Sequence, residues 1–376
     1  MLRIALRMLL GDRPKYLALV VGLSFAVLLI SQQGAIFLGL LVRATGPLQN
    51  VNQPDLWVGD PFVRWVSETR PLADADLFRV RSVPGVEWAE PFFNARVNCD
   101  LPSGNQRFVN LVGVDRTTMV GQPPEILEGR LEDLKIDGAV FVEESARAKL
   151  ENVKIGDELK LNDRRAVVVG YCRAKSGFDS PALLYTTFEQ AVTFVPLGRN
   201  SMTYILVRVK PGFDVKQVQQ AISSLPDLAA FTPDQMRDKT VSFILNETGI
   251  GINFGITVLL GAIVGLAVSS TVFYQFTVEN SRYYAVLKAM GCSNLTLARM
   301  VLLQAAWVGL IGFGVGVGLT GFFALVSRRP GTELAVVFPW WLLLGSLVAT
   351  AICIAIGSIL SLRSVLRMEP AMVFKS

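Results

Sequence analysis

Residues 284–291, Tyr-Ala-Val-Leu-Lys-Ala-Met-Gly, are the stretch whose residue types and spacing most suggest a working surface, and the work is contact rather than catalysis. Arg282 to Met290 are mostly helix formers and set Val286, Leu287 and Met290 near one side. Gly291 can take the left-handed conformation that ends a helix. Ser293 or Asn294 can cap the helix that follows. A short amphipathic helix of this kind either offers a docking knob to a partner or lies among lipid headgroups, and periodicity leaves both open.

A second polar feature is Ser31-Gln32-Gln33, which interrupts an otherwise apolar run. Three consecutive polar side chains in lipid need partners. They belong to a helix–helix hydrogen-bonded contact, or to a dimer interface or substrate cleft open to the outer leaflet. Cys99 and Cys172 share one segment and can pair, although sequence alone gives no distance. The chain has no histidine, which excludes His-based triads and His-rich zinc sites. It has no G-x-x-x-x-G-K-[ST], G-x-S-x-G or H-E-x-x-H run and no C-x-x-C pair. No metal site and no catalytic residue are expected.

The elements that position these residues are membrane spans. Of 376 residues, 51% are hydrophobic and only 18% charged, too few charges for a soluble domain and too much apolar residue for disorder. Four uncharged runs, 16–42, 252–276, 300–326 and 338–362, are each long enough to cross a bilayer. The first run is too long for the apolar core of a signal peptide and reads as an uncleaved anchor. Segments 1–15, 277–299 and 363–376 together carry ten Lys and Arg against three acidic residues. Segment 43–251 carries 24 against 27, and the tight 327–337 loop two against one. The positive-inside rule therefore puts the three basic segments in the cytoplasm and 43–251 outside. The basic balance is a topology signal, and no nucleic-acid binding is expected. The absence of charge in the spans argues against ion-coupled transport and against a charge-lined pore.

Segment 43–251 reads as a mixed α/β extracytoplasmic domain. A helix over 74–83, a turn at Pro84-Gly85 and a strand near 86–93 open it. Strands near 108–114 and 204–209 and a hairpin over 156–170, turning at Asn162-Asp163, follow. Asp214 caps a helix running to Leu225. The order suggests two α/β halves around an inserted β unit. Thr232-Pro233-Asp234 starts a helix, and no proline follows before Pro330, so one helix is expected over 233–276, its extracytoplasmic part a stalk from about 233. It is either a relay of motion or a simple tether, with Gly249, Gly251 and Gly255 as a potential hinge. Gly309, Gly312, Gly314, Gly316, Gly318 and Gly321 are expected to permit close packing of the third span or to loosen it as a gate. Trp340 and Trp341 read as interfacial anchors. Arg3, Arg7, Arg13 and Lys15 read as headgroup anchors or as contacts to a cytoplasmic partner.

The 284–291 run resembles the cytoplasmic loop of FtsX/MacB-type ABC transporter permeases, the type VII ABC superfamily, and within it the DevC-type branch with its E-Y-A-x-L-K-A-[MI]-G. The closing run 362–374 is similar to that family's R-x-x-P-A-x-x-F/L tail. The plan of one span, a large external domain and three further spans matches too. One position departs: Tyr283 stands where the family has an acidic residue, and Glu279 lies one helical turn earlier. The resemblance implies a non-catalytic permease that forms a homodimer in the inner membrane, surrounded by lipids and bound to a cytoplasmic ABC ATPase dimer that holds ATP and Mg. Arg282, Tyr284, Ala285, Val286, Leu287, Lys288, Ala289, Met290 and Gly291 would then form the coupling helix. The long first and second helices would relay ATPase closure to the external domain, which extrudes a lipid-like or amphipathic substrate. DevC-type members also imply a periplasmic adaptor and an outer-membrane channel. An FtsX-like alternative activates an external partner, such as a cell-wall hydrolase, without moving cargo. A third is a receptor or scaffold with no ATPase.

Overall fold

The computed structural model describes residues 8, 9, 11, 13–177, 181–195, 202–327 and 335–367. The chain divides into two compact units, one holding 1–39, 250–329 and 334–376, the other 40–249 with 330–333.

The extracytoplasmic unit is organised by one long strand. Strands β1 (Leu56–Gly59), β2 (Val86–Asp100), β9 (Tyr204–Val209) and β10 (Ala229–Phe231) form an antiparallel sheet in the order β10-β1-β9-β2. Only the first half of β2, up to Phe92, pairs with β9. Its second half, Phe93–Asp100, pairs with β3 (Gln106–Val114). From there the ladder runs through β8 (Ala182–Thr187), β5 (Ala139–Glu143), β7 (Arg164–Arg173) and β6 (Glu158–Leu161). β6 pairs back onto Cys99 and Asp100 of β2, which closes a six-stranded barrel. β4 (Glu125–Glu128) pairs with the end of β7 outside the ring. Closure leaves the barrel without a free edge.

Side-chain alternation assigns each face. Phe93, Ala95, Val97, Cys99, Val109, Leu111, Leu159 and Leu161 fill the barrel. On the open sheet, Leu56 and Val58 face helices Asp74–Arg81 and Val215–Ser223, whose Leu77, Val80, Val218 and Ile222 cover them. Trp57 points the other way, edge-on to Phe92 and Tyr204, with ring centroids at 5.5 and 5.3 Å. That second core also holds Val112, Val114, Phe141 and Tyr185 from outside the barrel and Met236 from the stalk helix. The unit is thus an α/β layer made from the two ends of the segment around a β unit made from its middle.

Local chemistry explains the turns and caps. The β6–β7 hairpin turns at Asn162 and Asp163, both at positive φ (47° and 66°), which Asn and Asp tolerate. The Asp214 carboxylate accepts from the Lys216 N–H. Thr232 and Gln235 form a reciprocal capping box at the start of helix Pro233–Asn246.

The stalk departs from the sequence expectation. Helix Pro233–Asn246 stops, and the second span begins afresh at Ile250. Glu247 caps the first helix, and Gly249 takes φ of 70°, a conformation outside the right-handed helical region. The stalk is fixed to its own unit: the Val66 N–H donates to Thr240 Oγ1 at 3.1 Å, and Trp65 stacks on Phe243 at 5.8 Å. Cys99 and Cys172 are both free and lie in different cores, so the pairing left open by the sequence is not made. Burial raises both thiols, Cys99 to about 12, so neither is a ready thiolate.

Among the described residues the membrane unit has four long helices, Arg13–Ala44, Ile250–Glu279, Asn294–Val326 and Trp340–Arg367. Each contains a stretch apolar and long enough to cross a bilayer. Glycines let them approach. A Cβ on Gly265 would lie 2.8 Å from that of Ala26, and one on Gly316 2.7 Å from the Ser24 carbonyl oxygen. Gly309 and Gly312 are similarly crowded by Ile354 and Leu23, whereas a Cβ at Gly314, Gly318 or Gly321 would meet nothing within 4 Å. The glycine run therefore splits into a packed face and an open one. Trp340 and Trp341 begin the fourth span with exposed indoles, as interfacial anchors do.

Candidate functional site in the 277–299 loop

The loop folds as a short helix, Ser281–Ala289, between the second and third spans. The second span ends at Glu279, and Asn280, with φ −87° and ψ 8°, separates it from the loop helix. At the other end Gly291 adopts φ of 88°. The Cys292 N–H donates to the Leu287 carbonyl at 3.1 Å and the Gly291 N–H to that of Lys288 at 3.1 Å. These two bonds are a Schellman stop, with Gly291 at the position that favours glycine. Ser293 then caps the third span by accepting from the Thr296 N–H.

The helix has an inner and an outer face. Tyr284 and Ala285 are buried, at 1% and 2% exposure. The Tyr284 hydroxyl donates to Gln304 Oε1 of the third span at 3.0 Å, and Gln304 is itself buried. Leu297, Met300 and Val301 surround the Tyr284 ring, with Met8, Leu287 and Cys292 packed against them. Burial raises the Tyr284 hydroxyl to about 12, against the lowering by its bond to Gln304, so it stays protonated and donates. The outer face carries Tyr283 (63% exposed), Val286 (37%) and Met290 (68%), spaced three and four residues apart. Arg282, Ala289 and Gly291 are also exposed, and Lys288 is half-buried.

The nine residues singled out from the sequence therefore fall into two groups. Arg282, Val286, Ala289, Met290 and Gly291 lie on or beside the exposed surface, with Lys288 half-buried at its edge. Tyr284 and Ala285 face inward, and Leu287, grouped by periodicity with Val286 and Met290, belongs half to the buried cluster. The reason is the Gln304 acceptor, which lies 20 residues on and is invisible to a helical-wheel reading. Tyr283 and, just past the turn, Leu295 (62% exposed) extend the outer apolar surface and were not among the sequence candidates. Exposed apolar groups flanking the helix stop were the available signal. Glu279 pairs with Lys15 on the far side of the Asn280 break, so it does not supply the missing acidic group to the loop helix.

Ser31 is fully buried, and its hydroxyl has no hydrogen-bond partner among the described residues. Gln32 and Gln33 are half-buried. Other hydroxyls in the spans bond back to their own helix, Ser24 to the Val20 carbonyl at 2.6 Å and Thr320 to that of Gly316 at 3.0 Å. Arg3, Arg7 and residues 368–376 of the C-terminal motif lie outside the described residues.

Four helices able to span a bilayer, an α/β unit inserted after the first and a short amphipathic helix between the second and third make up the described architecture. The comparisons give the family. A model of the MacB-like periplasmic core domain matches residues 17–225, and one of the FtsX-like permease C-terminal region matches 252–370. The chain belongs to the FtsX/MacB-type ABC transporter permeases. It is 25% identical over 310 residues to an uncharacterised ABC transporter permease of Mycobacterium tuberculosis, covering 81% of this chain and 79% of that one. It is 24% identical over 233 residues to an uncharacterised ABC transporter permease of Methanocaldococcus jannaschii, covering 58% of this chain and 57% of that one. It is 22% identical over 330 residues to the macrolide export ATP-binding/permease protein MacB of Hahella chejuensis, covering 80% of this chain. The chain thus spans 57% and 48% of the lengths of the last two relatives. Among solved structures, the periplasmic region of MacB from Actinobacillus actinomycetemcomitans aligns with a TM-score of 0.39 at 17% identity, covering 54% of this chain and 97% of that one.

The protein is accordingly a multi-pass inner-membrane ABC transporter permease with a large periplasmic domain. The relatives named above are ABC transporter permeases or, in Hahella chejuensis, an ATP-binding/permease protein.

Proposed function

We propose that this chain is the permease of an exporter in which the loop helix docks on a cytoplasmic ABC ATPase and turns nucleotide-driven closure into motion of the periplasmic domain. ATP and Mg are held by the ATPase, and a second copy of this chain completes the assembly. The cargo class is lipid-like or amphipathic, because uncharged spans offer an apolar surface and no ionic path. A DevC-type arrangement, with a periplasmic adaptor and an outer-membrane channel, fits the loop motif. The observation that carries the reading is the exposed Tyr283–Val286–Met290 surface on a helix whose other face is held by Gln304. An amphipathic helix that buries one face and leaves large apolar groups on the other is a contact surface awaiting a partner.

The exposed face carries Tyr283, Val286 and Met290 with Arg282 beside them and no acidic side chain on the helix, so the contact is an apolar one with a basic margin. Met290→Asp, placed on the outer face, is expected to abolish co-purification with the ATPase while leaving the permease folded. Leu287→Asp is a poorer probe, because Leu287 also supports the inner cluster. Undiminished ATPase binding by Met290→Asp would refute the docking assignment. Reconstituted vesicles then separate export from signalling. ATP-dependent release of lipid supports export, and activation of an external hydrolase without released cargo supports the FtsX-like alternative.

A further inference from the structure

The loop helix is joined unequally to the two spans that flank it. Toward the second span the connection runs through Asn280, whose N–H and Nδ2 both donate to the Phe276 carbonyl and whose own carbonyl accepts from the Tyr283 and Tyr284 N–H, and among the described residues the second span places none in the apolar cluster around Tyr284. The end of that span is tied through the Glu279–Lys15 pair to the first span, and its Phe273 and Phe276 pack in a separate cluster with Leu19, Leu23, Ala305 and Val308. Toward the third span the connection is lateral and buried. The Tyr284 hydroxyl reaches Gln304, and Leu297, Met300 and Val301 enclose its ring. Gln304 lies ten residues beyond the start of the third span at Asn294, about 15 Å along a helix rising 1.5 Å per residue. The hydrogen bond therefore braces the corner at Gly291 in addition to the two backbone bonds of its helix stop, and does so well beyond the turn itself.

From this asymmetry we infer that Tyr284 and Gln304 form a latch that makes the loop helix and the cytoplasmic end of the third span one rigid lever, with the second span pivoting against it at Asn280. Displacement of the loop helix enters the membrane through the third span. Tyr284 is a positioning residue here, since it faces away from the exposed surface. The inference rests on the loop helix being the ATPase contact, and its test keeps the two claims apart.

Spin labels are placed pairwise on the full-length chain, bound to its ATPase, in a Cys292→Ser background. One pair is Ala289→Cys with Leu302→Cys, across the latch. The other is Ala289→Cys with Tyr274→Cys, across the pivot. Ala289 is exposed and is not one of the three residues of the docking surface, and Leu302 and Tyr274 are exposed and outside the cluster around Tyr284. Double electron–electron resonance with and without a non-hydrolysable ATP analogue is expected to leave the 289–302 separation fixed and to shift the 289–274 separation. In Tyr284→Phe the 289–302 distribution is expected to broaden. ATPase stimulation is expected to fall by about threefold to tenfold, the range one buried hydrogen bond commands, while ATPase binding is retained. A 289–302 separation that changes as much as 289–274, or no change in either, overturns the latch. Unimpaired stimulation in Tyr284→Phe overturns it as well. Retained ATPase binding by Met290→Asp counts against the docking surface and not against the latch.

Discussion

Glu68 shows how much one side chain's surroundings decide. Burial alone would raise its carboxyl, but the Arg64 backbone N–H donates to it at 2.7 Å, and the Arg64 and Arg70 guanidiniums also bond it, so the result is lowered from 4.5. A carboxyl lowered in the folded state contributes stability that is present above its unfolded value and is lost as pH falls through the folded one. Glu68→Gln should therefore melt below the parent protein near neutrality. The two melting curves should converge as pH drops below 4.5. A constant difference across that range, measured by thermal denaturation of the periplasmic unit's tryptophan signal, would contradict the assignment. The same scale explains where the sequence reading of the loop succeeded and failed. Gly291 and Ser293 were legible because helix stops and caps are local chemistry. The inward turn of Tyr284 was not, because it is set by an acceptor on another helix.

At the scale of elements, sequence patterning found β6, which has one wet face, and also β9, although five of its six residues are buried. β6 alternates exposed and buried residues, and its turn residues mark the hairpin. β1, β5 and β8 are buried along their whole length, so they carry no two-residue alternation to detect. Barrel closure was equally hidden, since β2 had to be read as one 15-residue strand serving two sheets. The stalk was over-read as one continuous helix because glycine within a helical pattern is ambiguous, and only its positive φ at position 249 decides. The third span gives a direct test of packing. Gly316→Val inserts bulk against the Ser24 carbonyl and Val27 and should destabilise by about 1–3 kcal/mol. Gly314→Val meets nothing within 4 Å and should leave detergent-solubilised melting within about 0.5 kcal/mol of the parent. Equal losses at the two positions would show that the faces are not distinguished in this way.

Across the whole molecule, the described membrane helices are held by small-residue packing, with hydroxyls such as those of Ser24 and Thr320 bonded back to their own helix and the Lys15–Glu279 pair at the helix ends. Such a unit can shift its helices without breaking buried charge pairs. The periplasmic unit is the opposite kind of object, a closed barrel fused to a helix-covered sheet through one strand, with the stalk helix bolted on by Val66–Thr240 and Trp65–Phe243. The most direct measurement is ATP turnover by the partner ATPase in proteoliposomes, with the parent permease and with Met290→Asp at equal incorporation. The account predicts that the parent accelerates turnover and that Met290→Asp, folded to the same melting temperature, does not. Equal acceleration by both would contradict it.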